Sequence, residues 1–202
     1  MKTLVNYIQE KLVIIFTSQV NEKLVINKDY NDPYTCAPTS CNELRKIITD
    51  RYDKLGPGTK DKPIDFNDVD VSNIDSFYNE DNGKGIFDKT KFEYIDISDW
   101  DVSNVKNMHD AFWNCSNLVL VGDLSNWNVS NVESMSSMFF MCTQLKSIGD
   151  LSNWNISKVK NMHYMFYRCK KLTSVGDLSN WDVSGVENMN NMFYGCEQLK
   201  SI

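Results

Sequence analysis

The hydrophobic and polar positions of this chain recur with a period of 27 residues from Asp96 onward. Five apolar slots keep their residue type in every unit. They contain Trp100, Trp127, Trp154 and Trp181; Met108, Met135, Met162 and Met189; Phe112, Phe139, Phe166 and Phe193; Cys115, Cys142, Cys169 and Cys196; and Leu118, Leu145, Leu172 and Leu199. Other slots change freely, such as the one shared by Lys106, Glu133, Lys160 and Glu187. The constant slots are therefore predicted to face a shared core and the variable slots to face solvent.

A fixed period of this size is typical of repeat proteins in which each unit buries its apolar face against its neighbours. Within one unit, the apolar positions of residues 172–178 and a Gly-Asp step favour a short strand beside a bend. Residues 161–169 have apolar side chains at three- and four-residue steps, which favour a short helical turn. We therefore expect an α/β repeat solenoid, a leucine-rich-repeat coil of 27-residue units with an N-terminal helical cap.

One unit begins Asp-Leu-Ser-Asn-Trp-Asn-Val-Ser-Asn-Val at residues 123–132, and the next shows the pattern Met-x-x-Met-Phe-x-x-Cys-x-x-Leu at residues 162–172. In these motifs the chain resembles the BspA-like leucine-rich repeat family of bacterial surface proteins. The resemblance covers about half of the chain. Members of that family are non-catalytic and bind proteins or host surfaces, so the resemblance implies adhesion or scaffolding.

The clearest local signal outside the repeats is a helix over residues 40–55. Ser40 and Glu43 have the spacing of a capping box, and Gly56 stands where a helix would end. Residues 65–74 then repeat the unit motif with Val69 in the tryptophan slot.

The interval between that slot and the next tryptophan is longer than the repeat period. Trp100 follows Val69 by four residues more than the period, and we place the excess in a polar loop at residues 78–85 of a degenerate first repeat. Three segments are expected. They are an N-terminal amphipathic helix, tail and linker over residues 1–38, a helical cap with the degenerate repeat over 39–95, and four repeats over 96–202, the last one incomplete.

The first 30 residues suggest a docking segment. Residues 1–16 have apolar side chains at helical spacing, interrupted by Glu10 and Lys11, which predicts a short amphipathic helix that docks on the repeats or on a partner. The apolar run is too short for a membrane span and lacks the features of a signal peptide. These opening residues resemble the N-termini of small proteins of crAss-like Bacteroides phages. That resemblance implies a phage-encoded protein in the host cytoplasm or the virion.

Composition restricts the classes of partner and of metal site that this chain is expected to have. The net charge of −6, with interspersed charges, argues against nucleic acid as the main partner, because phosphate binding favours a basic face. Four of the six cysteines share one repeat slot, so we interpret them as buried hydrophobic residues rather than a disulfide framework. Cys36 and Cys41 lack the histidine partners or second cysteine pair of a zinc site. No cofactor is expected.

Repeated polar residues are candidates for metal or catalytic sites. One row would contain Asp96, Asp123, Asp150 and Asp177. A calcium ion needs more oxygen ligands than one such row supplies, so a turn-forming role is the better interpretation. His109 and His163 lie two units apart, too far to share a metal. The spacing shows no acid–base pair and no nucleophile beside a base, and we expect no enzyme.

One further slot is aromatic in every unit although the residue type changes. It contains Trp113, Phe140, Tyr167 and Tyr194, with Met141 and Arg168 in the slot that follows. These six residues are the candidate protein-binding residues, because aromatic side chains are favoured anchors of interfaces. The alternative is that the rings pack over the helical side of the core.

The sequence therefore predicts a non-catalytic protein–protein interaction protein. It would be a phage-encoded leucine-rich-repeat binding module that recognises a bacterial or host protein. The alternative is a structural virion component docked through its N-terminal tail. Self-association through an uncapped C-terminal repeat is a further expectation, since open edges attract other chains.

Overall fold

The computed structural model describes residues 35–200 of the chain. The amphipathic helix expected over residues 1–16, and the rest of the predicted docking segment, lie outside the described residues.

The first element is a helix, α1, at Cys41–Leu55, which confirms the helix predicted there. Ser40 is its N-cap, and the Ser40 hydroxyl accepts a hydrogen bond from the backbone N–H of Glu43 at 3.2 Å. The Glu43 carboxylate accepts from the backbone N–H of Thr39 at 2.7 Å. The reciprocal bond of the capping box is therefore displaced by one residue from the expected Ser40. The helix ends at Gly56, whose φ of 74° suits glycine.

One face of α1 packs against the core. Leu44 and Ile48 are fully buried. Arg51 places its guanidinium carbon 4.9 Å from the ring centroid of Phe66 and forms an ion pair with Asp68 at 2.5 Å. The helix is thus attached both by apolar burial and by a part-buried ion pair to the segment that precedes the tryptophan-bearing units.

Four short strands form two small sheets. They are β1 (Ile64–Asp65), β2 (Tyr78–Asn79), β3 (Lys84–Gly85) and β4 (Ile95–Asp96). Strands β1 and β4 pair in parallel, whereas β2 and β3 form an antiparallel hairpin. The polar loop predicted at residues 78–85 is therefore a hairpin. Asn79 is buried within it, and its amide is satisfied by donating to the Asn42 side chain of α1 at 2.8 Å.

The described residues contain one helix and two two-stranded sheets, which make a small mixed fold. The α/β repeat solenoid predicted from the sequence, with its leucine-rich-repeat coils, is therefore wrong. Residues 97–200 consist of turns and isolated bridges instead of a strand and a helical turn in each unit. The period still determines which residues contact each other. Isolated parallel bridges join Asn107 to Ser134, Ser134 to Asn161 and Asn161 to Asn188.

The helical turn predicted over residues 161–169 does not form. Tyr164 and Arg168 both have a φ of 58°, in the left-handed region that interrupts a right-handed helix. Their backbone N–H groups donate to the carbonyls of Asn190 at 3.0 Å and Tyr194 at 2.7 Å. The bonds between units therefore replace the bonds that a helix would make along its own axis.

The strand predicted over residues 172–178 is also absent. Gly176, in the middle of it, has a φ of 87°, and a β-carbon there would overlap the Asp150 carboxylate. Earlier units keep only a single bridge in this region, such as Leu120 with Ser147. A positive-φ glycine in close contact with the previous unit bends the backbone and limits strand pairing.

The tryptophans form a buried row. The indole centroids of Trp100 and Trp127, and those of Trp127 and Trp154, are 6.5 Å apart, with planes within 8° of parallel. The indole N–H of Trp127 donates to the carbonyl of Ile97 at 3.1 Å, and that of Trp154 donates to the carbonyl of Leu124 at 3.0 Å. Each tryptophan therefore satisfies its polar atom inside the core, as a buried indole must.

The phenylalanines and cysteines form two neighbouring buried rows. Phe139 stacks on Phe112 at 4.9 Å and on Phe166 at 5.6 Å. The thiols of Cys142 and Cys169 lie 3.1 Å from the carbonyls of Phe112 and Phe139 and donate to them. Both cysteines are fully buried and free. The interpretation of the row cysteines as buried hydrophobic residues is confirmed for Cys115, Cys142 and Cys169, whereas Cys196 is only half-buried.

Candidate functional site

The slot that is aromatic in every unit forms a row of stacked rings at the surface. We call Trp113, Phe140, Tyr167 and Tyr194 the outer aromatic row. Successive ring centroids are 5.7, 5.0 and 5.2 Å apart, with planes within 13° of parallel. The first three rings are half-buried, and Tyr194 is 57% exposed. The rings do not pack over a helical side of the core, because the described part of these units contains no helix.

Backbone hydrogen bonds between units fix the spacing of this row. Asn114, Met141 and Arg168 each follow a row residue, and each donates its N–H to the carbonyl of the next row residue at 2.7 or 2.8 Å. These three residues have φ values of 55°, 58° and 58°. The chain therefore turns immediately after each ring. The residue just before each of the first three rings is a buried phenylalanine such as Phe139, and half-buried Phe193 precedes Tyr194, so the row lies outside the core.

Two cationic side chains contact the row. The Lys89 ammonium lies 4.6 Å from the ring centroid of Trp113, and the Arg168 guanidinium carbon lies 5.4 Å from that of Tyr167. Both distances are within the range of a cation–π interaction. Met141 is half-buried in the slot that it shares with Arg168. The six candidate residues therefore lie along one surface, and their binding role remains a prediction.

Two residues of this surface were not predicted from the sequence. Tyr164 packs nearly perpendicular to Phe140 and Tyr167, with centroid distances of 6.0 and 5.2 Å. Its slot is not aromatic in the other units, so comparison of the units gives no signal for it. Lys89 precedes Trp100, in the segment where the spacing departs from the period, and its position over Trp113 could not be inferred from register.

The aspartate row has a structural role in its turns. In each unit one aspartate oxygen accepts the backbone N–H of the serine two residues later. The pairs are Asp96 with Ser98, Asp123 with Ser125, Asp150 with Ser152 and Asp177 with Ser179, at 2.9 to 3.0 Å. The backbone and hydroxyl of Ser179 lower the pKa of Asp177 by hydrogen bonding. These contacts confirm the turn-forming interpretation.

His109 lies beside a serine and a carboxylate, the residue types of a hydrolase site. Its Nδ1 lies 2.5 Å from Ser136 Oγ and 3.0 Å from the Ser136 carbonyl, and its Nε2 lies 3.4 Å from Asp110 Oδ2. A carbonyl only accepts, so these contacts favour a protonated Nδ1, which cannot take the serine proton. Ser136 is also 3% exposed. The arrangement is therefore unsuited to nucleophilic catalysis.

The second histidine makes separate contacts. His163 Nδ1 lies 2.7 Å from Asn161 Oδ1, and its ring packs against Tyr164 with a centroid distance of 5.1 Å. Burial, and secondarily the nearby His109, lower the pKa of His163. Among residues 35–200 no group of three or more His, Cys, Asp or Glu side chains is placed to hold a metal ion.

A shallow groove of about 230 Å³ lies elsewhere on the molecule. It is lined in part by Lys60, Tyr94, Asp96 and the two glycines Gly122 and Gly149. Asp96 is already engaged by the backbone and hydroxyl of Ser98. None of the groove residues belongs to the outer aromatic row, so the two features are distinct.

Within the described part of the chain, no helix combines the length and the apolar character needed to span a membrane.

Comparison with known proteins corrects the resemblance inferred from the motifs. Residues 81–202 match the family described as "Mycoplasma protein of unknown function, DUF285". That is a different family from the BspA-like leucine-rich repeat family, so the resemblance is wrong, and with it the inference of a Bacteroides-phage member. No curated protein and no solved structure matches the chain. The family match covers more than half of the 202 residues, and the chain therefore belongs to the DUF285 family.

Proposed function

We propose that this protein is a non-catalytic binding protein that contacts a protein partner through the outer aromatic row. The observation that carries the proposal is the contrast between two adjacent positions in the two central units. Phe139 and Phe166 are fully buried, whereas Phe140 and Tyr167, the residues that follow them, are only half-buried. The core is already filled by the first set, so the second set adds aromatic surface that the core does not enclose.

The composition of this surface supports a protein partner. Aromatic residues, methionine and arginine are enriched at protein interfaces, and all three types occur here in Tyr167, Met141 and Arg168. Rigid stacked rings also lose little side-chain entropy on binding, because their rotamers are already restricted. The row is therefore well suited to act as an interface anchor.

The proposal of a non-catalytic role rests on the geometry of His109 and Ser136, the pair of side chains that comes nearest to a catalytic arrangement. His109 and Ser136 lie within hydrogen-bond distance, but Ser136 is buried and the histidine contacts favour a donating Nδ1. The alternative of a structural component docked through residues 1–30 concerns residues outside the described range. The outer aromatic row is the feature on which the proposal depends.

Site-specific cross-linking tests this proposal. A photoreactive amino acid replaces Tyr194 in the test protein. In the control it replaces Glu187, an exposed residue of the same unit that lies outside the outer aromatic row. We expect protein adducts at position 194, identified by mass spectrometry, that the control position does not give. We also expect the Tyr167→Ala substitution to reduce the adducts. Equal cross-linking at both positions, or none at position 194, contradicts the proposal.

A further inference from the structure

The outer aromatic row presents ring edges more than ring faces. Phe140 lies between Trp113 and Tyr167, and Tyr167 lies between Phe140 and Tyr194, all nearly parallel. The inner rings therefore have both faces covered. Lys89 lies over the Trp113 ring as well. Tyr164 packs nearly perpendicular to Phe140 and Tyr167 and covers part of their edges. The exposed fraction of these two rings therefore comes from the remaining part of their edges.

Edge exposure restricts the class of ligand. The edge of an aromatic ring carries partial positive charge, and its face carries partial negative charge. Nucleic-acid bases and other flat ligands bind aromatic side chains by stacking on the faces, which are covered at Phe140 and Tyr167. Carboxylate and carbonyl oxygens are better matched to the edges.

The charged side chain next to Tyr167 has the same sign as the ring edges. Arg168 is exposed and lies next to the Tyr167 ring, and Lys170 and Lys171 follow it in sequence. One acidic partner is present at this end, since Glu197 pairs with Lys170 at 2.9 Å. The Arg168 end of the row is thus locally basic in a chain whose net charge is −6.

The opposite end of the row carries charges of both signs. The backbone N–H of Lys89 donates to the carbonyl of Trp113, just as the residue after each row residue donates to the next row residue. Asp88, the residue before Lys89, therefore has the position of a row residue in the preceding unit. Asp110 is nearby, because its carbonyl accepts the backbone N–H of Trp113 at 2.9 Å. The Asp88 carboxylate interacts with Lys89, Arg45 and Lys84, and the Asp110 carboxylate lies 3.4 Å from His109 Nε2. Lys89 is therefore partly offset by Asp88, whereas Arg168 is exposed beside Tyr167, so an anionic group is expected to bind from Tyr167 to Tyr194.

We propose that the outer aromatic row binds an acidic segment of polypeptide, whose carboxylates meet Arg168 and the ring edges around Tyr167. This inference rests on the proposed protein-binding function and deepens it by naming the chemistry of the partner. Opposite charge at the rim of an interface accelerates association and excludes partners of the wrong sign.

Two labelled peptides of equal length test the proposal, one of alternating Glu and Ala and one of alternating Lys and Ala. Fluorescence anisotropy measures their affinity for the full chain. We expect the Glu-Ala peptide to bind at least about tenfold more tightly, a difference of about 1.4 kcal/mol, even though the chain itself is acidic. Equal affinity, or tighter binding of the Lys-Ala peptide, overturns the proposal.

A matched pair of charge reversals locates the effect. Arg168→Glu and Lys106→Glu change the net charge equally, but Lys106 lies in an exposed slot outside the row. We expect Arg168→Glu to abolish the preference and Lys106→Glu to leave most of it. Equal effects of the two variants overturn the proposal. Tighter binding of single-stranded oligothymidine than of the Glu-Ala peptide, lost in Arg168→Glu, also overturns it in favour of a nucleic acid.

The two proposals fail separately. A protein cross-linked at position 194 through a segment without acidic residues contradicts the acidic partner and leaves the binding function intact. A clear peptide preference without any protein adduct at position 194 contradicts the binding function.

Discussion

The indole N–H of Trp154 donates a hydrogen bond to the backbone carbonyl of Leu124 at 3.0 Å, across 30 residues of sequence. The same carbonyl accepts the backbone N–H of Trp127 at 3.1 Å. Leu124 therefore uses its carbonyl for a turn in its own unit and for a bond to the following unit. This contact connects successive units within the core, where water cannot replace a lost donor.

Replacing Trp154 with Phe tests that connection. The variant keeps an aromatic ring in the row but loses the N–H donor and part of the indole volume. We expect the free energy of unfolding to fall by about 1–3 kcal/mol, from the lost hydrogen bond and the space left behind. Urea denaturation followed by circular dichroism measures it. A variant as stable as the wild-type protein would show that the bond contributes little.

Glycine is required at one repeated position by both conformation and space. Gly149 has a φ of 91°, and a β-carbon there would overlap the Asp123 carboxylate. We expect Gly149→Ala to lower the free energy of unfolding by about 2 kcal/mol or more, because left-handed backbone strain alone costs about 1–2 kcal/mol. Thermal and urea denaturation provide the measurement.

The matched control for that substitution is Gly185→Ala. A β-carbon at Gly185 would approach no atom closer than 3.4 Å, and Gly185 does not have a positive φ. We expect its stability to change by less than about 1 kcal/mol. Equal destabilisation by the two substitutions would contradict the close approach of Gly149 to Asp123.

Equivalent cysteines in successive units should differ in reactivity. Cys169 is fully buried, whereas Cys196 is half-buried. Burial raises the pKa of Cys169 well above its ordinary value of 9.0, and burial raises that of Cys196 to about 11. We expect iodoacetamide to modify Cys196 before Cys169 in the native protein, and both rapidly in urea. Mass spectrometry of peptides measures the order, and faster native modification of Cys169 would contradict it.

The same thiols make stability depend on alkaline pH. A thiol with a raised pKa in the folded protein stabilises it fully below pH 9.0, where the unfolded thiol is also protonated. That contribution is lost as the pH rises from 9.0 through about 11 for Cys196. We expect the urea midpoint to fall over this range, and to fall less in Cys196→Ala. An identical decline in both proteins would exclude a contribution from Cys196.

The sequence predicted local features best where one short motif contains the cause. The helix at Cys41–Leu55 follows from Ser40 and Gly56, and the turn role of the aspartates follows from the serine two residues later. The register of the tryptophans was equally accessible, because the spacing is constant. These features depend on neighbouring residues or on the period alone.

The architecture was predicted wrongly because apolar spacing does not reveal backbone conformation. Residues 161–169 have helical spacing, but Tyr164 and Arg168 adopt positive φ and bond to the next unit. Left-handed residues other than glycine are uncommon, so nothing in their identity signals the turn. The sequence predicts a loop instead of the hairpin at residues 78–85, because buried Asn79 is satisfied by Asn42, a helix residue 37 positions earlier in the chain.

Only part of the surface around the outer aromatic row could be predicted, because only some of its residues lie in a repeated slot. The slot of Tyr167 is aromatic in all four units, so comparison of the units identifies it. Tyr164 and Lys89 contact the same rings through positions that the period does not mark. Contacts that occur in only one unit cannot be predicted from the repeat and are seen only in the three-dimensional structure.

Binding through the outer aromatic row and stability of the fold are compared in one experiment. Wild type and Tyr167→Ala/Tyr194→Ala are titrated with the protein captured at position 194, and their urea midpoints are measured alongside Phe166→Ala as a core control. We expect the double variant to bind at least about tenfold more weakly, with stability within about 1–3 kcal/mol of wild type because only ring stacking and partial burial are lost.

The core control sets the scale for that comparison. Phe166 is fully buried, so Phe166→Ala is expected to lower the free energy of unfolding by about 3–5 kcal/mol. Unchanged affinity in the double variant would contradict a binding role for the outer aromatic row. Destabilisation as large as that of Phe166→Ala would also contradict it, because the row would then belong to the core.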